Sequence, residues 1–113
     1  MVTETINLIT EKQFEAQVKK LALMLGFTYY HTHRSQFSPS GFPDCVMVKI
    51  DPEPRLIFAE LKTDDVKKSQ PSFEQWEWLY ILQQLPEPVE CYLWRPADFQ
   101  EIADLLSRDR IEV

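Results

Sequence analysis

The sequence predicts a single α/β domain in which helices flank a mixed central sheet, in the element order αβββαβα. Three observations carry this expectation. Hydrophobic spacing switches between helical and strand periods along the chain, a polar capping signature precedes each helical run, and proline-rich gaps separate the strand-like runs. With 113 residues, 44% of them hydrophobic, residues 1–113 fit one domain able to bury a core without disulfide or metal staples.

Thr10, with Gln13 three residues later, forms a capping box. Phe14, Val18, Leu21, Ala22 and Leu25 then recur at helical spacing until Gly26, giving a helix over roughly 10–25. The aromatic and β-favouring residues from Phe27 to His33 predict a first strand, and the turn-forming residues from Arg34 to Pro43 predict a loop. Cys45–Ile50 and Leu56–Lys62 read as a hairpin about Asp51-Pro52-Glu53-Pro54-Arg55, where proline cannot continue a ladder. After a charged loop over 63–71, Ser72 and Gln75 form a second capping box for a helix running to about Leu85. Val89–Trp94 is a fourth strand, and Asp98-x-x-Glu101 is expected to cap a last helix carrying Ile102, Leu105 and Leu106.

The composition excludes some function classes. No uninterrupted apolar stretch is long enough to span a bilayer, and the first thirty residues lack a secretory leader, so the expectation is a cytoplasmic protein with no membrane partner. Cys45 and Cys91 fall in apolar strand-like segments without a Cys-x-x-Cys pair, which predicts buried free thiols and no zinc site. The net charge of −6 counts against a nucleic-acid partner, since phosphate binding normally leaves clustered Lys and Arg. A carboxylate site built for divalent cations weakens that objection, because it concentrates negative charge where the ions sit.

Alternate side chains share a face of a strand, so Glu60 and Lys62 project together with Leu56 and Phe58, away from Ile57, Ala59 and Leu61. A hairpin folded near Pro52-Glu53 pairs residues whose numbers sum to about 104–106, which sets Asp44 opposite Glu60 within a residue. Two carboxylates and an ammonium therefore converge. That donor set suits Mg²⁺, with the lysine placed to orient water or neutralise developing charge. A Glu and a Lys two apart are more often a solvated face or an ion pair; their place at the end of the apolar run Leu56–Ala59 favours a partner ion. Glu11 and Glu15 both flank the apolar stripe of the first helix and either can supply a further acid. Glu11 is equally explained by the helix dipole and Glu15 by a pair with Lys19. Gln75 either closes its capping box or orders water and phosphate. His31, His33 and Arg34 lead into Ser38–Gly41 as phosphate-capable donors, and Lys67 and Lys68 offer further cationic contacts to DNA.

Taken in order, Glu11-Lys12-Gln13-Phe14 with Val18 and Leu21-Ala22, Tyr30-His31, Gly41-Phe42-Pro43-Asp44, Ala59-Glu60-Leu61-Lys62, Ser72-x-x-Gln75-x-x-Trp78-Leu79 and Trp94-Arg95-Pro96 span nearly the whole chain. The sequence in this respect resembles the virus-type replication-repair nuclease (VRR-NUC) domain, a branch of the PD-(D/E)-X-K phosphodiesterases. The resemblance implies a restriction-endonuclease-like αβββαβ core, dependence on Mg²⁺ or Mn²⁺, and hydrolysis of DNA phosphodiesters. It also implies Asp44 and Glu60 as metal ligands, Lys62 as the catalytic lysine and Gln75 as the family's glutamine; motif order favours Glu11 as the helix acid, while the spacing to the helix-ending glycine in Holliday-junction resolvases of the wider fold favours Glu15. The expected activity is that of a structure-selective endonuclease in DNA repair, similar to Holliday-junction resolvases, acting as a homodimer on branched DNA in a bacterial or phage-infected cell. Alternatives are a nuclease for flaps, nicks or ends, and a catalytically silent DNA-binding module of the same fold.

Overall fold

The computed structural model describes residues 8–33 and 37–108. Helix α1 (Glu11–Met24) leads into strand β1 (Thr28–His31), followed by β2 (Cys45–Lys49) and β3 (Arg55–Leu61). Helix α2 (Phe73–Gln83), strand β4 (Val89–Trp94), a 3₁₀ turn at Pro96–Asp98 and helix α3 (Phe99–Ser107) complete the domain. The sheet runs β1-β2-β3-β4, antiparallel except for the parallel pair β3–β4. Among the described residues this makes a mixed four-stranded sheet with three α-helices.

Both expected capping boxes form. The Thr10 hydroxyl accepts from the Gln13 N–H at 3.1 Å while Gln13 Oε1 accepts from the Thr10 N–H at 2.8 Å, and Ser72 and Gln75 repeat the arrangement at 3.1 and 2.8 Å. These bonds satisfy backbone donors that the first turn of a helix leaves open. The last helix differs from the expectation. Asp98 stands at the N-cap of α3 but makes no side-chain cap to it; its carboxylate accepts from the Arg95 N–H at 2.9 Å, because it is also the last residue of the 3₁₀ turn that Arg95 opens. The first strand is also shorter than its composition suggests, since Phe27 buries against the core before the ladder begins.

The two sheet faces are covered by different helices. Phe14, Val18 and Ala22 of α1 and Ile102 and Leu106 of α3 meet Cys45, Met47, Ile57, Ala59 and Leu61 on one face. On the other, Leu79 and Leu82 of α2 meet Cys91, with Phe58, Trp78 and Leu93 packed around them. The alternation along β3 therefore sends Ile57, Ala59 and Leu61 into the larger core and Phe58 and Glu60 toward the α2 side. Arg55 begins the same strand and is buried in a bidentate pair with Glu90, at 2.9 and 2.8 Å, while also donating to the carbonyls of Leu105 and Arg108. Such a fork satisfies a buried guanidinium and the open carbonyls of α3 together.

The aromatic residues divide by location. Trp94 is buried and stacked on Tyr92 at 5.5 Å, and Trp78 is half-buried at the smaller core. Phe73, Trp76 and Tyr80 of α2 instead remain 77%, 49% and 67% exposed, so α2 is apolar on its outer face as well as its inner one.

Candidate active site

Residues β2 and β3 pair with numbers summing to 104, as in Cys45 with Ala59 and Met47 with Ile57. Extending this register by one residue sets Asp44 against Glu60. Asp44 Oδ2 reaches across to accept the Leu61 N–H at 2.7 Å, and the Asp44 carbonyl accepts the Thr32 N–H at 2.8 Å. The residue is therefore tied to both neighbouring strands.

Glu60 has no exposed surface, and neither of its carboxylate oxygens has a hydrogen-bond donor. Burial holds its carboxyl well above the ordinary range, and the facing Asp44 adds to the shift. Two carboxyls hydrogen-bond to each other only while one keeps a proton; with both ionised, Glu60 is an orphaned anion. Lys62 opposes the shift by favourable attraction. Its backbone N–H donates to the Trp94 carbonyl at 2.9 Å, which extends the parallel ladder past Leu61 and fixes the residue beside the pair.

The two helix acids part company. Glu11, at the first turn of α1, interacts with Asp44 and Lys62; partial desolvation and then Asp44 raise its carboxyl, and Lys62 lowers it. Glu15 turns instead to β1, where its Oε2 accepts from the Tyr29 hydroxyl at 2.6 Å and its Oε1 lies 3.8 Å from His31 Nδ1. Tyr29, not Lys19, is thus the hydrogen-bond partner of Glu15. The sequence pattern gave no sign of this tyrosine, although its place two residues before His31 on one strand face is the signal that would have found it.

A cleft of about 630 Å³ opens beside Asp44, lined among others by Tyr30, Thr32, His33, Phe42, Gln75 and Trp78. Gly41, at φ +95°, lets the loop before Asp44 lie directly on α2: a Cβ there would come within 2.6 Å of the Glu74 carbonyl carbon. Gln75 closes the capping box through Oε1, and the residue also lines the cleft. His31 and His33 stack edge to face at 5.0 Å, and His33 alone of the two lines the cleft. Lys67 and Lys68 are exposed on the loop after β3. Arg34, the remaining expected DNA contact, lies outside the described residues.

The chain matches no family model, no curated protein and no solved structure. The chemistry of the site therefore rests on its own residues. Among the described residues no three His, Cys, Asp or Glu side chains converge into a ready-made metal cage. The donors that do meet are Asp44, the two orphaned oxygens of Glu60 and, nearby, Glu11. Hard oxygen ligands of this number fit a cation such as Mg²⁺, which takes one or two carboxylates and completes its shell with water and substrate phosphate.

Proposed function

We propose that this protein is a Mg²⁺- or Mn²⁺-dependent DNA endonuclease with a restriction-endonuclease-like core, selective for branched DNA in the manner of a Holliday-junction resolvase. The observation that carries the proposal is Glu60, a buried carboxylate without a donor, facing Asp44 and flanked by Lys62. A folded protein tolerates such a group where a cation compensates it. When bound, the divalent ion supplies Lewis acidity and neutralises charge on the scissile phosphate. Asp44 and Glu60 would hold it, with Glu11 as the third acid.

The remaining steps fall to the chain's own groups. The Leu61 N–H locks the Asp44 carboxylate in place, so little reorganisation is needed as the substrate arrives. The Lys62 ammonium stabilises negative charge that builds on the phosphoryl oxygens. Gln75 lines the cleft, and its Nε2, not used by the capping box, would donate to water or phosphate there. Hydrolysis adds the hydroxyl of water to phosphorus and its proton to the departing sugar oxygen.

A homodimer is part of the same proposal, supported by the uncovered Phe73, Trp76 and Tyr80 on α2. Resolution of a junction requires two cuts related by near two-fold symmetry, and an isologous pair supplies two sites at a fixed spacing. The deciding experiment titrates Mg²⁺, Mn²⁺ and Ca²⁺ against labelled four-way junction, flap, nicked and duplex DNA, with Asp44→Ala alongside. Metal-dependent strand scission by the wild type and none by the variant is expected. Equal activity of both would remove the proposed site.

A further inference from the structure

We infer that the cleft beside Asp44 receives an unpaired nucleobase, so that the nuclease proposed above selects DNA with a displaced nucleotide next to the scissile phosphate over continuous duplex. The inference rests on that nuclease reading for the identity of the substrate. Its own support is the lining of the cleft.

At about 630 Å³ the cleft has the size of a small-molecule pocket, roughly 300–1,000 Å³, far too small for a duplex. Its walls include three aromatic rings, Tyr30, Phe42 and Trp78. Phe42 is fixed edge to face against Trp78 at 5.0 Å and against Phe58 at 5.8 Å, so this wall is continuous with the smaller core and rigid. Tyr30, which also lines the cleft, is 62% exposed and belongs to neither core cluster. Polar groups suited to the edge of a base are also present. The Thr32 hydroxyl is buried without a hydrogen-bond partner, and His33 and Gln75 line the same space.

The charges point the same way. Among the described residues lining the cleft there is no Lys or Arg, and the chain as a whole carries −6. Grip on a polyanion by counterion release is therefore weak here, whereas stacking on aromatic rings needs no cation and is available to every base. Asp44 belongs both to the cleft wall and to the carboxylate pair, so a base seated in the cleft brings its own backbone up to the pair. Extruding a paired base costs free energy, and that cost is least where pairing is already lost. Flaps, bulges and the exchange point of a junction meet this condition; uninterrupted duplex does not.

The test uses three DNAs of one sequence: a full duplex, the same duplex with one bulged nucleotide, and the bulge carrying an abasic residue. Binding is read by fluorescence anisotropy in EDTA and cleavage in Mg²⁺, for the wild type, Tyr30→Ala and Thr32→Val, with thermal melts of each protein. We expect bulged DNA to bind about tenfold or more tighter than duplex, and the abasic bulge to fall back to the duplex value. Tyr30→Ala should weaken binding of the bulge by about 5- to 100-fold and leave the melting temperature and duplex affinity in place. Equal binding of base-bearing and abasic bulges overturns the inference, as does full preference retained by both variants. The two proposals fail separately: cleavage of all three DNAs at one rate removes the cleft inference alone, and base-dependent binding without scission in any metal removes the nuclease alone.

Discussion

At Glu60 the fold buries an acid completely, with the Asp44 carboxyl facing it, and the consequence is a definite pH dependence. Its carboxyl titrates above the ordinary value in the folded protein, so between those two values the native state binds more protons than the unfolded state. Metal-free stability must then fall as pH rises through that window. One group contributes at most about 1.4 kcal/mol per pH unit; relaxation of the site reduces this. In EDTA, Glu60→Gln should gain about 1–2 kcal/mol on the wild type between pH 5 and pH 8, or about 5–10 °C in Tm. Parallel melting profiles would show that Glu60 is compensated some other way. The same variant should lose cleavage, and Lys62→Ala should lose about 100-fold in rate or more. A Lys62→Ala rate within about a factor of two of wild type would take the lysine out of the chemistry.

The elements show what a sequence pattern can and cannot convey. Asp44, Glu60 and Lys62 were legible because strand alternation and a hairpin register are local rules, and the pairing sum of 104 brought them together. The choice between Glu11 and Glu15 was not. They lie one turn apart, about 6 Å along the axis, on the same flank of the Phe14–Val18–Ala22 stripe. What separates them is where α1 docks on the sheet, which sets Glu15 against the Tyr29 hydroxyl and leaves Glu11 toward Asp44 and Lys62. The cleft was hidden for a related reason: its wall joins β1, the loop before β2 and α2, three segments distant in sequence. Gly41 marks that junction. Gly41→Ala forces a side chain into the Glu74 backbone at a positive φ, and it should lower both Tm and cleavage, the latter tenfold or more by analogy with misplaced catalytic groups. Wild-type values for both would mean that the loop does not need this close approach.

For the molecule as a whole, the proposed metal site predicts that stability depends on cations. A site of carboxylates binds Mg²⁺ only when folded, and at a hundred times its Kd the gain is about 2.7 kcal/mol. Mg²⁺ or Mn²⁺ should therefore raise Tm, Ca²⁺ should do so with little turnover, and Asp44→Ala should remove the response. If chelation leaves both Tm and activity unchanged, the carboxylates hold no metal. The outer face of α2 makes a second prediction at this scale. Sedimentation at micromolar protein should give twice the 13.4 kDa chain mass, and Tyr80→Glu should halve it. A monomer in both cases would reject the proposed paired-cut mechanism and leave the proposed metal site untouched.

The two cysteines open a direct route to that question. Cys45 and Cys91 are buried free thiols, pushed up by burial to about 12 and about 11, and thiolate is the form that reacts. Burial and the raised pKa both lower the background of the native thiols toward thiol reagents. Glu77→Cys, on the exposed side of α2, would create one exposed thiol in a protein whose two native thiols are buried. Covalent dimers formed through that thiol would map which helix faces meet, one position at a time, without altering either native cysteine.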